Sequence, residues 1–85
     1  FLGVGGISDK FGITDFNMEE VQVKKQMIKS SREVIVLADH SKFNRVAPMK
    51  IADIKLIDKI ITDDGLKEKD KINIERFDTE IIIAR

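Results

Sequence analysis

An acid, an imidazole, a hydroxyl and an amine occupy four consecutive positions, Asp39-His40-Ser41-Lys42, directly after the apolar run Val34–Ala38. If that run is a central parallel strand, the four residues sit at its carboxyl end, where open α/β sheets bind ligands. There Asp39 can accept hydrogen bonds from hydroxyls, and Lys42 can face an anion such as a phosphate. Asp63 closes the run Lys59–Thr62 in the same manner. Blander roles stay open, because Asp after a strand often caps a turn and Ser-Lys is common on surfaces. His40 is the only histidine and there is no cysteine, so no metal site is expected and His40 reads as a surface residue. Ser41 and His40 are chain neighbours whose side chains point apart, so they form no nucleophile–base pair. No catalytic set can be assembled.

Two further groups can carry chemistry. Gly3, Gly5, Gly6 and Gly12 cluster within the first twelve residues, which suits either a tight turn or a loop that lets a ligand approach backbone. The cluster lacks the G-x-G-x-x-G spacing of a dinucleotide site and the G-K-[ST] of a phosphate-binding loop. Glu20 and Lys24 stand four apart on a helical stretch, the favourable order for an ion pair. At 100° per residue, Glu19, Gln22, Gln26 and Lys29 share one polar side. Glu20, Lys24 and Ser31 fall on the other, between the apolar patches Met18/Val21/Ile28 and Val23/Met27. Burying an ion pair is a poor source of stability. A half-exposed salt bridge beside the core is therefore the plainer reading, and a pair lining a polar cavity the sharper one.

The elements that must position these residues follow from the hydrophobic pattern. Four apolar runs, Phe1–Val4, Val34–Ala38, Lys59–Thr62 and Glu80–Ala84, read as strands. Continuous apolar, β-branched runs imply burial on both faces, as in a parallel sheet covered by helices. Asp15–Ser31 carries an Asn or Asp cap, early glutamates and late lysines, as the helix dipole prefers. Asp63–Phe77 reads as a turn at Gly65 followed by a charged helix. The stretch from Asn44 to Ile57, broken by Pro48, predicts irregular structure and one helical turn near Asp53. Strand–helix alternation of this kind predicts an α/β fold with a mostly parallel sheet flanked by helices.

Composition narrows the partners. Fifteen basic residues balance fifteen acidic ones, and the absence of a basic excess argues against direct nucleic-acid binding by these residues. No apolar run approaches the roughly 20 residues that span a bilayer, and no signal peptide opens the chain, so no membrane partner is expected. The lack of cysteine suits a reducing cytoplasm. Phe1 enters a strand directly, and the expectation is one fragment, residues 1–85, of a longer protein.

Several stretches together resemble a known family. "FLGVGGI", "GITDFNMEEVQVKKQMI", "VIVLADHSKF" and "IDKIITDDGL", in that order, look like the C-terminal half of the effector-binding domain of DeoR-type bacterial transcriptional repressors. The match rests on G-x-T, E-x-x-x-K, L-A-D-x-S-K-F and I-T-D at these separations, from Phe1 to about Leu66. The resemblance implies a domain related to sugar-phosphate isomerases, deaminases and CoA transferases that senses a phosphorylated sugar and so induces a sugar-utilisation operon. It implies that Gly5 and Gly6 line the sugar site and that Thr14 follows in the loop. Glu20 and Lys24 would project from the helix, and Asp39 and Lys42 would be the acid and base of the D-x-S-K segment. Many members carry Ser or Thr in place of His40, and some carry histidine. By the same resemblance, operator DNA is met only through an N-terminal winged helix-turn-helix outside this chain, and a glycine-rich phosphate loop lies in the other half of the domain. With the family in view, the cavity-lining reading of Glu20 and Lys24 becomes the preferred one.

The expectation is thus a non-catalytic, cofactor-free effector domain of a cytoplasmic, homo-oligomeric repressor. The alternative is a sugar-phosphate isomerase or deaminase fragment on the same fold. An assembly module that pairs through sheet edges is a further rival.

Overall fold

A computed structural model describes residues 1–84. Its elements are β1 (Leu2–Gly3), β2 (Gly6–Ser8), β3 (Gly12–Asp15), α1 (Met18–Ser30), β4 (Ile35–Leu37), β5 (Met49–Ala52), β6 (Lys59–Asp63), α2 (Glu68–Glu75) and β7 (Glu80–Ala84). Short 3-10 turns cover His40–Lys42 and Ile54–Leu56. The chain is α/β, as the pattern of runs predicts, and all four apolar runs are strands.

β1, β4, β6 and β7 form one sheet, in that order and parallel throughout. Its register aligns Leu2, Val36, Ile60 and Ile81 in one row, and all four are buried. Val21 of α1 and Ile74 of α2 join them in a single core with Ile7, Ile13 and Ile51. The adjacent row, Gly3, Leu37, Ile61 and Ile82, must point the other way because side chains alternate along a strand. On that side Leu37 is 43% exposed, and Ile35, Ile61 and Ile82 are only partly buried. The expectation of burial on both faces therefore fails for one face. The reason lies in the strand order, which follows chain order. Every connection steps the same way across the sheet, and right-handed crossovers then lay all their cover on one side.

The second sheet, antiparallel β2-β3-β5, was not predicted. The glycine-rich start turns out to be the first strand of a hairpin, with Gly6 paired to Thr14 and Ser8 to Gly12. Met49–Ala52, expected to be irregular, forms its third strand directly after Pro48. The helical turn expected near Asp53 is present, with Asp53 at its cap. Pattern reading misses strands of three or four residues whose pairing partners are distant in sequence, because tertiary contacts override weak local preference.

In α1, the side-chain oxygen of Asn17 accepts from the Glu20 N–H at 3.1 Å, so Asn17 is the cap. Only Val21 of this helix is fully buried, while Met18, Val23 and Met27 are exposed. Among the described residues no helix is long and apolar enough to cross a membrane.

Candidate functional site

A cavity of about 440 Å³ lies over the carboxyl edge of the parallel sheet. Each of the four strands brings its end to it: Gly3 and Val4 at the end of β1, Leu37 to Asp39 at the end of β4, Ile61 to Asp63 of β6, and Ala84 of β7, with Lys42 reaching in from the turn. Parallel strands make this convergence inevitable, since all their carboxyl ends share one edge.

Asp39 caps the turn His40–Lys42. One of its oxygens accepts from the Ser41 N–H at 2.9 Å and also from the Ser41 hydroxyl. These hydrogen bonds, with a smaller contribution from the Lys42 charge, hold its carboxyl below the usual aspartate value. Its second oxygen has no partner among the described residues. Asp63 is more fully engaged, accepting from the Gly65 N–H at 2.8 Å, the His40 N–H at 3.1 Å and His40 Nδ1 at 2.8 Å. The two backbone donors lead in lowering its pKa as well. Lys42 makes no ion pair among the described residues. Its charge is nevertheless felt at Asp39 and at Asp15.

Glu20 and Lys24 line a neighbouring groove of about 390 Å³ with Phe1, Leu2, Gly3, Val23 and Met27. The ion pair expected between them does not form. Lys24 instead bonds Asp15 at the end of β3, while Glu20 is exposed. An i,i+4 pair on a helix is weak, and a carboxylate fixed by its strand beside the helix is the better partner. Gly3 borders both hollows, the one with Asp39 and Lys42 and the one with Glu20 and Lys24.

Gly6 and Thr14 are paired within the antiparallel sheet, Gly5 directly precedes it, and none of the three lines either hollow. The Thr14 hydroxyl is buried and accepts from the Ala47 N–H at 2.9 Å. A Cβ on Gly6 would overlap the Arg45 carbonyl, and one on Gly5 would meet the Phe16 ring at 2.9 Å. Close packing accounts for both glycines.

Two residues went unnoticed in the sequence. Thr62 lines the cavity and is buried, with no hydrogen-bond partner for its hydroxyl among the described residues. Asp15 is 7% exposed and bonded to Lys24 and to the Phe16 N–H at 2.9 Å. The string D-F-N masks it, because Asp15 is as good a local cap candidate as Asn17.

Burial pushes the Asp15 pKa up, but the Lys24 and Phe16 hydrogen bonds and the nearby Lys24 and Lys42 charges together outweigh it, and the carboxyl lies below its usual value. A depressed folded-state pKa gives stability that is present above the unfolded value, near 3.9, and lost as pH falls through the folded value. Asp15→Asn should therefore lower the thermal midpoint at pH 7 and reduce the loss of midpoint between pH 5 and pH 3. Equal acid sensitivity in the two proteins would remove Asp15 from the account.

The described residues hold no cluster of three or more potential metal ligands. The model of a family described as the DeoR C terminal sensor domain matches residues 1–64. A protein of Escherichia coli K12 named as a transcriptional regulator of the sgc region is 47% identical over 68 residues, which are 80% of this chain and 26% of that protein. One of E. coli O157:H7 named as a transcriptional repressor of the aga operon is 34% identical over 84 residues, 99% of this chain and 31% of its own length. The glycerol-3-phosphate regulon repressor of E. coli K12 is 37% identical over 62 residues, 73% of this chain and 25% of its own. The chain thus spans between a quarter and a third of the relatives it resembles.

Proposed function

The chain belongs to the DeoR C-terminal sensor domain family, and from that premise we propose that it reads a phosphorylated sugar on behalf of a repressor of a sugar-utilisation operon. In this reading residues 1–85 are the C-terminal part of the effector domain of a cytoplasmic, homo-oligomeric protein. A separate N-terminal winged helix-turn-helix binds the operator. The observation that carries the reading is an ammonium, Lys42, that no carboxylate of the described residues holds, beside Asp39, one oxygen of which has no partner among them, in a hollow at the carboxyl edge of a parallel sheet. Asp39 accepts from sugar hydroxyls through its open oxygen. Lys42 balances the phosphate charge, and Lys24 and Glu20 complete the wall on the far side of Gly3. The names of the relatives, which include a glycerol-3-phosphate regulon repressor and a deoxyribose operon repressor, fit a phosphorylated, hydroxyl-bearing ligand.

The domain acts by binding alone. A general base at neutral pH works best with a pKa near 7, whereas Asp39 and Asp63 are both held below the ordinary carboxylate value. An effector works by binding one of two repressor conformations more tightly than the other.

Calorimetry on the full-length protein tests the proposal with ribose 5-phosphate, glucose 6-phosphate, galactosamine 6-phosphate and glycerol 3-phosphate. At least one should bind and lower operator affinity without being turned over. Heat with none of them, or turnover of any, overturns it.

A further inference from the structure

We propose that His40 is a positioning residue, a latch that ties the turn bearing Asp39 and Lys42 to the end of β6 and holds those two groups at the spacing a ligand meets. The inference rests on the function proposed above and adds a residue to it.

The turn needs such a tie. None of its three residues is buried. It is anchored upstream by the Ala38 N–H on the Ile61 carbonyl at 3.1 Å, and downstream by buried Phe43 and the Asn44 N–H on the Ile7 carbonyl at 2.8 Å. Between these anchors its only hydrogen bonds to another element, among the described residues, are the two from His40 to Asp63. The Asp63 carboxylate can only accept, so Nδ1 carries the proton and donates, which leaves Nε2 open. With three donors on its two oxygens, Asp63 is committed to the latch although it borders the cavity.

Gly65 completes the device. A Cβ there would lie 2.5 Å from Nδ1 of His40, 2.8 Å from Cε1 and 2.9 Å from Cγ, so the ring rests flat on the glycine. The backbone at Gly65 is not left-handed. The three atoms nearest to such a Cβ all belong to the ring, and that makes the two residues interdependent in a way that can be measured.

The test is a variant set in the full-length repressor, read by the Kd of whichever of the four phosphosugars binds. His40→Ala removes the side-chain bond and keeps the His40 N–H bond to Asp63, so it should raise that Kd about three- to tenfold, the net worth of one ordinary hydrogen bond in an exposed setting. His40→Asn places an amide nitrogen where Nδ1 stood and should stay within about twofold of the parent. His40→Gln extends past that position and should behave like His40→Ala. Gly65→Ala should match His40→Ala, and the double variant should be no worse than either, because the three atoms nearest to the added methyl all belong to the ring that His40→Ala removes. A parent that binds a phosphosugar while His40→Ala binds it equally well, or additive losses in the double variant, overturns the latch and leaves the sensing function standing. If the parent binds none of the four, the sensing proposal fails by itself. The latch is then judged by nitrogen NMR of histidine-labelled protein. A proton fixed on Nδ1 of His40 and freed by Asp63→Ala supports it, and mixed tautomers indifferent to Asp63→Ala refute it.

Discussion

Lys42→Ala is expected to yield a full-length repressor that still binds its operator and no longer lets go when the inducing phosphosugar is added. The side chain is the one cation at the cavity that no carboxylate of the described residues holds. Its charge is already felt by Asp39 and Asp15, yet both have other partners. A hydrogen bond between charged groups is worth about 1.5–3 kcal/mol, which converts to a loss of roughly 10- to 150-fold in affinity. The fold should survive, because the turn uses the Lys42 backbone, whose N–H bonds the Asp39 carbonyl at 3.1 Å. Lys42→Met separates charge from packing, since it keeps an apolar stem and discards the ammonium. It should fail as fully as alanine. Normal induction of either variant in a reporter assay would remove Lys42 from the site, and the phosphosugar assignment would lose its main support.

The second large effect concerns the scaffold. Gly12→Ala should lower the thermal midpoint of the sensor domain by roughly 8–40 °C. Gly12 has φ +80°, and a Cβ there would overlap the Ala52 carbonyl oxygen and approach the Asp53 Cα at 3.1 Å. The left-handed backbone costs a residue with a side chain about 1–2 kcal/mol, and forcing an extra carbon into packed surroundings costs about 1–3 more. In a domain of this size each kcal/mol moves the midpoint by about 4–8 °C. Neither neighbour can retreat cheaply. Ala52 pairs with Ile13 in the antiparallel sheet, and both belong to the core. Differential scanning calorimetry decides the matter, and a shift below 2 °C would show that the hairpin relaxes around the methyl.

The contrast between what was legible in the chain and what was not is physical. Glu80–Ala84 and Val34–Ala38 announce themselves because a buried parallel strand needs a run of β-branched residues, and each run supplies one. The cap at Asn17 and the turn before α2 are local chemistry, readable within a few residues. Asp39 and Lys42 followed from the same logic, since a polar cluster after a buried strand has to emerge at its carboxyl end. Gly6–Ser8 and Met49–Ala52 could not be read this way. Their identity as strands depends on a pairing through β3 that joins residues some forty positions apart. Lys24 is the sharpest case. Its spacing from Glu20 is visible in the chain, but its real partner, Asp15, becomes adjacent only when β3 folds beside α1. For His40, lack of a second histidine disfavours a metal, but says nothing of Asp63, which β6 delivers from twenty-three residues away.

The agreement between strand order and chain order has a further consequence. A sheet that advances strand by strand in one direction can cover only one of its faces, and here the row Gly3, Leu37, Ile61 and Ile82 is left only partly covered. Any polypeptide that continued the sheet beyond β1 and shielded that row would have to travel across it in the opposite sense, given the fixed hand of such crossovers. The reversal would fall at β1 itself. A reversal of that kind splays the loops on either side of it and opens a crevice at the strand ends. Gly3, which borders both hollows, would stand at its mouth.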